Sequence, residues 1–146
     1  MTEYEVRRHP GDATIEDAHT VRRVVFIDEQ GVSEAEEMDG RDEDATHVVA
    51  YDTEGGLPVG TARLRRKDER VGKIERVAVR EEYRGEGLGA RLMDEIETEA
   101  RREGCSSITL HAQTAVEEFY EELGYRTTSG VFEEASIPHV EMEKEL

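Results

Sequence analysis

The sequence predicts a mixed α/β (α+β) fold around one sheet, whose strands are antiparallel early in the chain and parallel in the middle. Two strand-like runs on either side of residues 53–56 (Thr-Glu-Gly-Gly) predict an antiparallel hairpin. A strand, a helix and a second strand over about residues 71–112 predict a right-handed βαβ unit. Because the chain has 146 residues and no internal repeat, we expect one domain over residues 1–146.

The first third of the chain predicts a strand, a helix and a polar connection. Residues 4–8 favour a short strand. Thr14 is placed as the N-cap of a helix that continues to about Glu29 and ends at Gly31. The apolar side chains that recur at helical spacing are Ile15, Ala18, Val21 and Val25. The acidic stretch 33–44 has little apolar content, which predicts a loop or a short helical turn.

The hairpin strands are predicted at residues 47–51 and 59–66, and residues 71–79 form the next strand. Polar side chains alternate with their neighbours in the second of these strands, so we expect one of its faces to be more exposed to water. The side chains on that face are Thr61, Arg63 and Arg65.

The helix of the βαβ unit begins near Leu88, and Gly104 is in position to end it. Its apolar stripe repeats at i, i+4 steps and consists of Leu88, Leu92, Ile96 and Ala100. A strand, a helix ending at Gly124 and two closing strands complete the fold, at residues 108–112, 115–123, 125–127 and 140–143.

The composition argues against several classes of protein. Acidic residues outnumber basic ones by 36 to 19, so the chain lacks the positive charge that nucleic acid binding needs. No apolar run could span a membrane, and the charged N-terminus is unlike a signal peptide, so we expect a cytoplasmic protein. Cys105 is the only cysteine and no two histidines stand at i, i+4 spacing, so we expect no disulfide and no metal site.

The acidic, lysine-poor composition is similar to that of halophilic proteins, and an ordinary acidic protein is the alternative. The charge is uneven, because basic residues outnumber acidic ones by ten to six between Arg63 and Arg91. A polyanionic ligand would be best tolerated beside this segment, unless the clustering is chance on an exposed strand pair.

A glycine-rich loop, Arg84-Gly85-Glu86-Gly87-Leu88-Gly89, joins the predicted strand 71–79 to the following helix. Glycines tolerate positive φ and bring backbone N–H groups close to an oxyanion, and the first helical turn leaves N–H donors unpaired. The loop lacks the Gly-Lys-Ser/Thr of a P-loop and the spacing of a dinucleotide fingerprint. A phosphate or pyrophosphate is the expected ligand.

Two motifs in order carry a family resemblance. Arg84, Gly87 and Gly89 match a phosphate loop of the form Arg/Gln-x-x-Gly-x-Gly/Ala. About thirty residues later, a segment of the form Phe-Tyr-x-x-x-Gly-Phe is matched by Phe119, Tyr120, Gly124 and Tyr125. Together they resemble the GNAT superfamily of N-acetyltransferases. A looser likeness at both ends of the chain resembles its ElaA-type subgroup, in residues 23–26, 29–32 and 137–140 among others.

The resemblance implies helices on both faces of the sheet, acetyl-CoA as co-substrate and a primary amine, on a small molecule or a peptide, as acceptor. It also implies direct attack in a ternary complex and a possible homodimer. The pyrophosphate would lie on the loop amides, and the pantetheine arm would pair with the strand. The implied cofactor-binding residues are Val77, Ala78, Val79, Arg84, Gly85, Glu86, Gly87, Leu88, Gly89, Gln113 and Tyr120. Many family members have Asn and Ala where this chain has Gln113 and Val116, which is a departure.

Acetyl transfer needs a neutral amine, a stabilised oxyanion and a proton for the departing thiolate. The motif position assigns Tyr120 as general acid, with a core tyrosine as the alternative. A backbone N–H near Val77 is expected to stabilise the oxyanion. Glu75, placed on the face of Val77 and Val79, is one candidate base, and a surface ion pair is its alternative. His111 is the second candidate, and a structural histidine is its alternative.

Several other residues have a possible role in the reaction and an alternative to it. His47 and His139 are further candidates for the base. An acidic pocket for an ammonium group could be formed by Glu29, Glu37 and Asp39, and a solvated loop is the alternative. Because no single base stands out, the alternative to an enzyme is a catalytically silent acyl-CoA-binding or sensing module.

Overall fold

The computed structural model describes residues 3–10 and 15–146, and an eight-stranded sheet forms its centre. The strands are β1 (Tyr4–Pro10), β2 (Thr46–Asp52), β3 (Leu57–Arg66), β4 (Val71–Val79), β5 (Ser107–Gln113), β6 (Arg126–Thr127), β7 (Phe132–Glu134) and β8 (Ile137–Glu145). The helices are α1 (Glu16–Arg22), which continues as a π-helix (Arg23–Glu29), α2 (Glu34–Glu37), α3 (Leu88–Arg102) and α4 (Glu117–Glu122). Single 3₁₀ turns lie at Glu81–Tyr83 and Thr114–Val116.

The strand order is β1-β2-β3-β4-β5-β8-β6, with β7 paired to β8. Neighbours from β1 to β4 are antiparallel, β4 and β5 are parallel, and β8 returns antiparallel to β5. The predicted mixed sheet and its βαβ unit are therefore confirmed. Strand β7 was not predicted, because three residues with two glutamates carry too little alternation to identify a strand.

Helix α3 covers one face of the sheet, as its apolar stripe predicts. Leu88, Leu92 and Ile96 are buried in one cluster with Ala62 and Leu64 of β3. The approach is close at Gly60 of β3, where a Cβ atom would lie 2.8 Å from the Leu92 Cδ1 atom. Glycine is needed at this position so that the helix can reach the sheet.

Helix α1 and its π-helical continuation cover the opposite face. Val21 and Val25 pack against Ala78 of β4, and Ala18 packs against Val49 and Tyr51 of β2. The helix begins at Glu16, and the predicted cap residue, Thr14, lies outside the residues that the structure describes.

The expectation of a wetter face on β3 is wrong. Thr61 and Arg63 are only 1% and 0% exposed, because α1 and the acidic stretch after it cover that face. The expected loop or helical turn in this stretch is α2, which begins after Ser33, whose hydroxyl accepts the Glu36 N–H. The alternating pattern predicted the strand correctly, but it gave no information about the segments that cover the strand.

A buried network of charges holds the acidic stretch on this face. Arg22 donates to both carboxylate oxygens of Glu37 at 2.6 and 2.7 Å, and to Asp42 at 2.7 Å. Arg63 donates to the same Asp42 oxygen at 3.0 Å and to both oxygens of Asp39 at 2.7 and 2.9 Å. Asp42 therefore joins two guanidinium groups that have no exposure to water.

A β-bulge in β4 changes which side chains share a face. Glu75 pairs with Arg63 and Ala78 pairs with Thr61, so two residues of β4 oppose one residue of β3. Arg76 takes a φ of 55° in the bulge, which is unusual for a residue other than glycine. The extra residue places Glu75 on the face of Ala78, and the prediction that it shares a face with Val77 and Val79 is wrong.

Replacement of Asp42 should destabilise the protein in a pH-dependent way. Burial raises the pKa of Asp42, but hydrogen bonds from Arg22 and Arg63 outweigh it and hold the pKa well below its usual value. Asp42→Asn should therefore lower the free energy of unfolding at neutral pH by about 3 to 5 kcal/mol, because it leaves buried charge uncompensated.

The sign of the pH dependence follows from the lowered pKa. The contribution of Asp42 is complete above the pKa of an unfolded aspartate, about 4, and is lost as the pH falls below it. Denaturant titrations should show the largest difference between wild type and Asp42→Asn above about pH 5, shrinking toward pH 2. Asp44→Asn, at an exposed neighbour, should show no such difference. A gap that stays constant down to low pH would contradict this account.

Candidate active site

The two parallel strands part halfway along their length and open a cleft. Their pairing extends from Val71 with Ser107 to Ile74 with Leu110 and then stops. Beyond that point the second half of β4, the glycine loop, the end of β5 and α4 enclose about 880 Å³. The cleft thus lies at the carboxyl ends of the parallel strands.

Most of the residues singled out in the sequence line this cleft. The set comprises Glu75, Val77, Ala78, Val79, Arg84, Gly85, Gly87, Leu88, Gly89, His111, Gln113 and Tyr120. Glu86 is not part of the lining, and its carboxylate accepts a hydrogen bond from the Tyr4 hydroxyl at 2.7 Å.

The glycine loop has the conformation that its composition predicts. Gly85 and Gly87 have φ angles of 82° and 80°, and Gly87 is the residue before the first turn of α3. Within residues 3–10 and 15–146, no side chain caps that turn. Gly89 faces α4, where a Cβ atom would lie 3.2 Å from the Phe119 ring. The first turn of α3 therefore points its backbone N–H groups toward the cleft.

The Arg84 side chain is held by groups that sequence reasoning did not connect to it. Its guanidinium donates to both carboxylate oxygens of Glu29 at 2.7 and 2.8 Å, and to the Val79 carbonyl at 2.9 Å. Gln113 is held in a similar way, because its Nε2 atom donates to Gln30 Oε1 at 2.9 Å. The end of the π-helix thus forms one wall of the cleft.

Tyr120 lies on α4, where it belongs to the core and also lines the cleft. The side chain is 7% exposed and contacts the rings of Phe119 and Tyr125 edge-on. Burial raises the pKa of Tyr120, so its phenol stays protonated at neutral pH. In the described part of the chain its hydroxyl has no hydrogen-bond partner.

A second group of side chains lies at the other end of the cleft, around His111. The His111 Nδ1 atom is 3.0 Å from Glu134 Oε1, and the His139 Nε2 atom is 3.7 Å from the other oxygen of that carboxylate. The Phe132 ring stacks on His139 and meets His111 edge-on. The hydrogen bond with His111 lowers the pKa of Glu134. Glu134 was missed in the sequence because β7 was not predicted, and only its spacing before His139 could have indicated it.

Glu75 also lines the cleft, and arginines hold its carboxylate. It forms a hydrogen bond with Arg65 and an ion pair with Arg63 at 3.3 Å. Burial raises the pKa of Glu75, but the Arg65 hydrogen bond and the Arg63 charge outweigh it and lower the pKa. The carboxylate is therefore ionised and already committed to partners inside the protein.

Two further acids of the cleft, Glu37 and Asp39, are also paired with arginines. Glu37 is 3% exposed and Asp39 is half-buried, so the interpretation of a solvated loop is wrong for this stretch. Arg76 adds to their neutralisation, with its guanidinium 3.8 Å from Glu37 and 3.4 Å from Asp39. His47 lies away from the cleft, fully buried, with Nε2 3.1 Å from the Asp42 carbonyl oxygen.

The described residues contain neither a membrane-spanning helix nor a cluster of metal ligands. None of the helices in that part of the chain is long and apolar enough to cross a membrane. No group of three or more His, Cys, Asp or Glu side chains in residues 3–10 and 15–146 could hold a metal ion.

An N-acyltransferase fold is defined by a mixed sheet with a parted parallel pair and a glycine loop at the opening. The similarity to known proteins supports this class. The sequence profile of the Acetyltransferase (GNAT) domain family matches residues 14–146. The uncharacterised N-acetyltransferase YjcF of Bacillus subtilis is 41% identical over 132 residues, which cover 90% of this chain and 92% of YjcF. The chain therefore belongs to the GNAT acetyltransferase family, and it is an acetyltransferase by fold and by relationship.

Solved structures show the same fold. A Lactobacillus plantarum protein described as an N-acetyltransferase superposes with a TM-score of 0.88 at 31% identity, covering 98% of both chains. Escherichia coli ElaA superposes with a TM-score of 0.83 at 27% identity, covering 99% of this chain and 100% of ElaA. The resemblance to the family, and to ElaA within it, is confirmed.

Proposed function

We propose that this protein transfers the acetyl group of acetyl-CoA to a primary amine by direct attack in a ternary complex. The observation that carries the proposal is that the glycine loop, Tyr120 and an edge of β4 that is unpaired within the described residues share one cleft. Membership of the GNAT family supports an acyl-CoA donor.

The groups along the cleft fit the parts of acetyl-CoA. Within the described residues, no strand pairs with the edge of β4 that faces β5 beyond Ile74. Backbone groups of Val77 and Val79 could therefore bond the amides of the pantetheine arm. The N–H groups from Gly85 to Gly89 suit the pyrophosphate, because glycine leaves them accessible. Arg84 adds positive charge beside the loop, oriented by Glu29.

The proton for the leaving group would come from Tyr120. When bound, acetyl-CoA supplies an acyl carbon activated as a thioester. The Tyr120 hydroxyl donates its proton to the sulfur as the C–S bond breaks, and its raised pKa keeps that proton available. A backbone N–H near Val77 stabilises the negative charge on the acyl oxygen.

His111 is the group that we propose to take the amine proton. With its Nδ1 proton donated to Glu134, the Nε2 atom carries the free electron pair. Nε2 lies 3.7 Å from Glu141 Oε2, which is beyond hydrogen-bond distance, so its electron pair can accept the proton of the amine. The C–N bond forms as the proton moves to His111, and exchange with water restores both His111 and Tyr120.

A substitution in the glycine loop should weaken CoA binding, and a matched substitution elsewhere separates this effect from a loss of stability. Gly87→Ala and Gly56→Ala both place a side chain at positive φ, 80° and 72°, with open space around it. Each should lower the free energy of unfolding by about 1 kcal/mol. Only Gly87→Ala should weaken CoA binding in isothermal calorimetry, because Gly56 lies in the β2–β3 turn. Equal CoA affinity in the two variants would argue against the loop as the pyrophosphate site.

Tyr120→Phe should lower kcat by about 100-fold or more while CoA binding and stability hold, because the lost hydroxyl has no internal partner. Tyr125→Phe is the matched control. Its hydroxyl donates to Glu97 at 2.7 Å outside the cleft, so this variant should lose stability and retain kcat. Unchanged kcat in Tyr120→Phe would remove this residue from the mechanism.

The two candidate bases should respond differently to substitution. His111→Gln should lower kcat for the amine and leave CoA affinity and thermal stability close to wild type. Glu75→Gln should lower the melting temperature, because Arg63 and Arg65 lose a buried partner. If His111→Gln retains full turnover and a folded Glu75→Gln does not, the assignment is reversed.

Thiol release from acetyl-CoA across a broad panel of amines, peptides and polyamines tests the function itself. An enzyme releases thiol with at least one acceptor and forms the N-acetyl product. Binding of CoA without turnover across the panel would favour a catalytically silent acyl-CoA-binding module. Failure to bind CoA at low and at high salt would contradict both.

A further inference from the structure

A second cavity, of about 350 Å³, lies beside the cleft and is lined mainly by positive charge. We call it the basic cavity. Five cationic side chains and one carboxylate contribute to its wall, together with a threonine and a histidine. They are Arg41, Arg65, Arg66, Lys67, Lys73, Glu141, Thr109 and His111. Four of the five cations belong to the basic segment between Arg63 and Arg91, although the whole chain has a net charge of −17.

The sheet itself brings these side chains together. Arg65 of β3 pairs with Lys73 of β4, and Lys73 pairs with Thr109 of β5. Residues in register on adjacent strands point to the same face, so these three form a row across the sheet. Arg41, from the stretch after α2, lines the same cavity as this row.

Internal ion pairs account for only part of the cluster. Glu75 pairs with both Arg65 and Lys73. Arg66 lies 4.0 Å from Glu103. The side chains of Arg41 and Lys67 form no ion pair within the described residues, so their charges remain available to a ligand. Several donors and an excess of positive charge together suit an oxyanion.

The basic cavity shares part of its wall with the end of the cleft where we propose that the acceptor binds. Lys73 and His111 line both spaces. On the cleft side of His111, the Glu134 carboxylate offers negative charge to an ammonium group. The two sides of His111 therefore carry opposite charges, which is the complement of a molecule with an amine at one end and an anion at the other.

We propose that the acceptor amine carries an oxyanionic group, a carboxylate in the simplest case, and that this group binds in the basic cavity while the amine lies at His111. This inference rests on the proposed function, since it names the class of acceptor used by the same site. It predicts that amines without an anionic group, including polyamines, are poor acceptors.

Binding to the CoA-saturated protein, measured by calorimetry, tests the inference without any need for turnover. The probes are ω-amino acids of increasing chain length, each compared with its ω-amino amide and with the alkylamine of the same length. At the best length the acid should bind about tenfold or more tightly than its amide, the effect of one charge-assisted hydrogen bond. Equal affinity for acids and amides at every length would overturn the inference.

Substitution of two cations of the basic cavity tests whether the anionic group binds there. Arg41→Gln combined with Lys67→Gln should remove the preference for the acid and leave the affinity for CoA unchanged. Arg70→Gln combined with Arg101→Gln is the control, because this pair removes the same two charges from exposed positions outside the basic cavity. A preference that survives the double variant would contradict the assignment.

Inorganic phosphate distinguishes an acceptor subsite from a separate anion site. If the cavity holds the anionic end of the acceptor, phosphate should compete with the ω-amino acid. Phosphate that binds there without competition would overturn the proposal. Thiol release with the same probes reports separately on the proposed function, since acid-selective binding without release would contradict acetyl transfer and not the anion contact.

Discussion

The structure depends on a pair of guanidinium groups buried between α1 and the sheet. Arg22 and Arg63 are both 0% exposed, and such groups are tolerated inside a protein only when carboxylates surround them. The acidic stretch after α1 supplies those carboxylates, so it must fold onto the α1 face of β3 and β4. Asp42, shared by both guanidiniums, joins helix, loop and strand in one contact.

The same network determines the shape of the cleft. Glu37 and Asp39, which bind the buried arginines, also line the cleft beside the bulged part of β4. Arg76, with positive φ in the bulge, donates to the carbonyl oxygens of Glu36 and Glu37 at 3.2 and 3.3 Å. The wall opposite β5 is thus fixed by internal charge pairs. In the part of the chain that the structure describes, the edge of β4 beyond Ile74 has no strand partner and is accessible to a ligand with amides of its own.

Much of the fold could be predicted because its signals are local. The apolar stripe of α3, the turn at residues 53–56 and the glycines at 85 and 87 each reflect one nearby physical requirement. Pairings between distant segments could not be predicted in this way. Nothing in the alternation around Arg63 indicates that an acidic stretch will cover it, and a bulge at Arg76 leaves no periodic signal.

The site follows the same division. The glycine loop and the first turn of α3, where we propose that the pyrophosphate binds, could be predicted because they are contiguous in sequence. The proposed acceptor side combines His111 of β5 with Glu134 of β7 and the cations of the basic cavity, which come from five separate segments. Only the folded sheet brings these residues together, so the motifs alone could not indicate them.

We propose that the parted strands and the glycine loop form one continuous binding surface for acetyl-CoA. Amide hydrogen exchange with and without CoA reports on the backbone groups of that surface. Bound CoA should slow exchange over residues 77–79 and 85–90, with little change in β1 and β2. Protection confined to other parts of the sheet, with residues 77–79 unaffected, would contradict it.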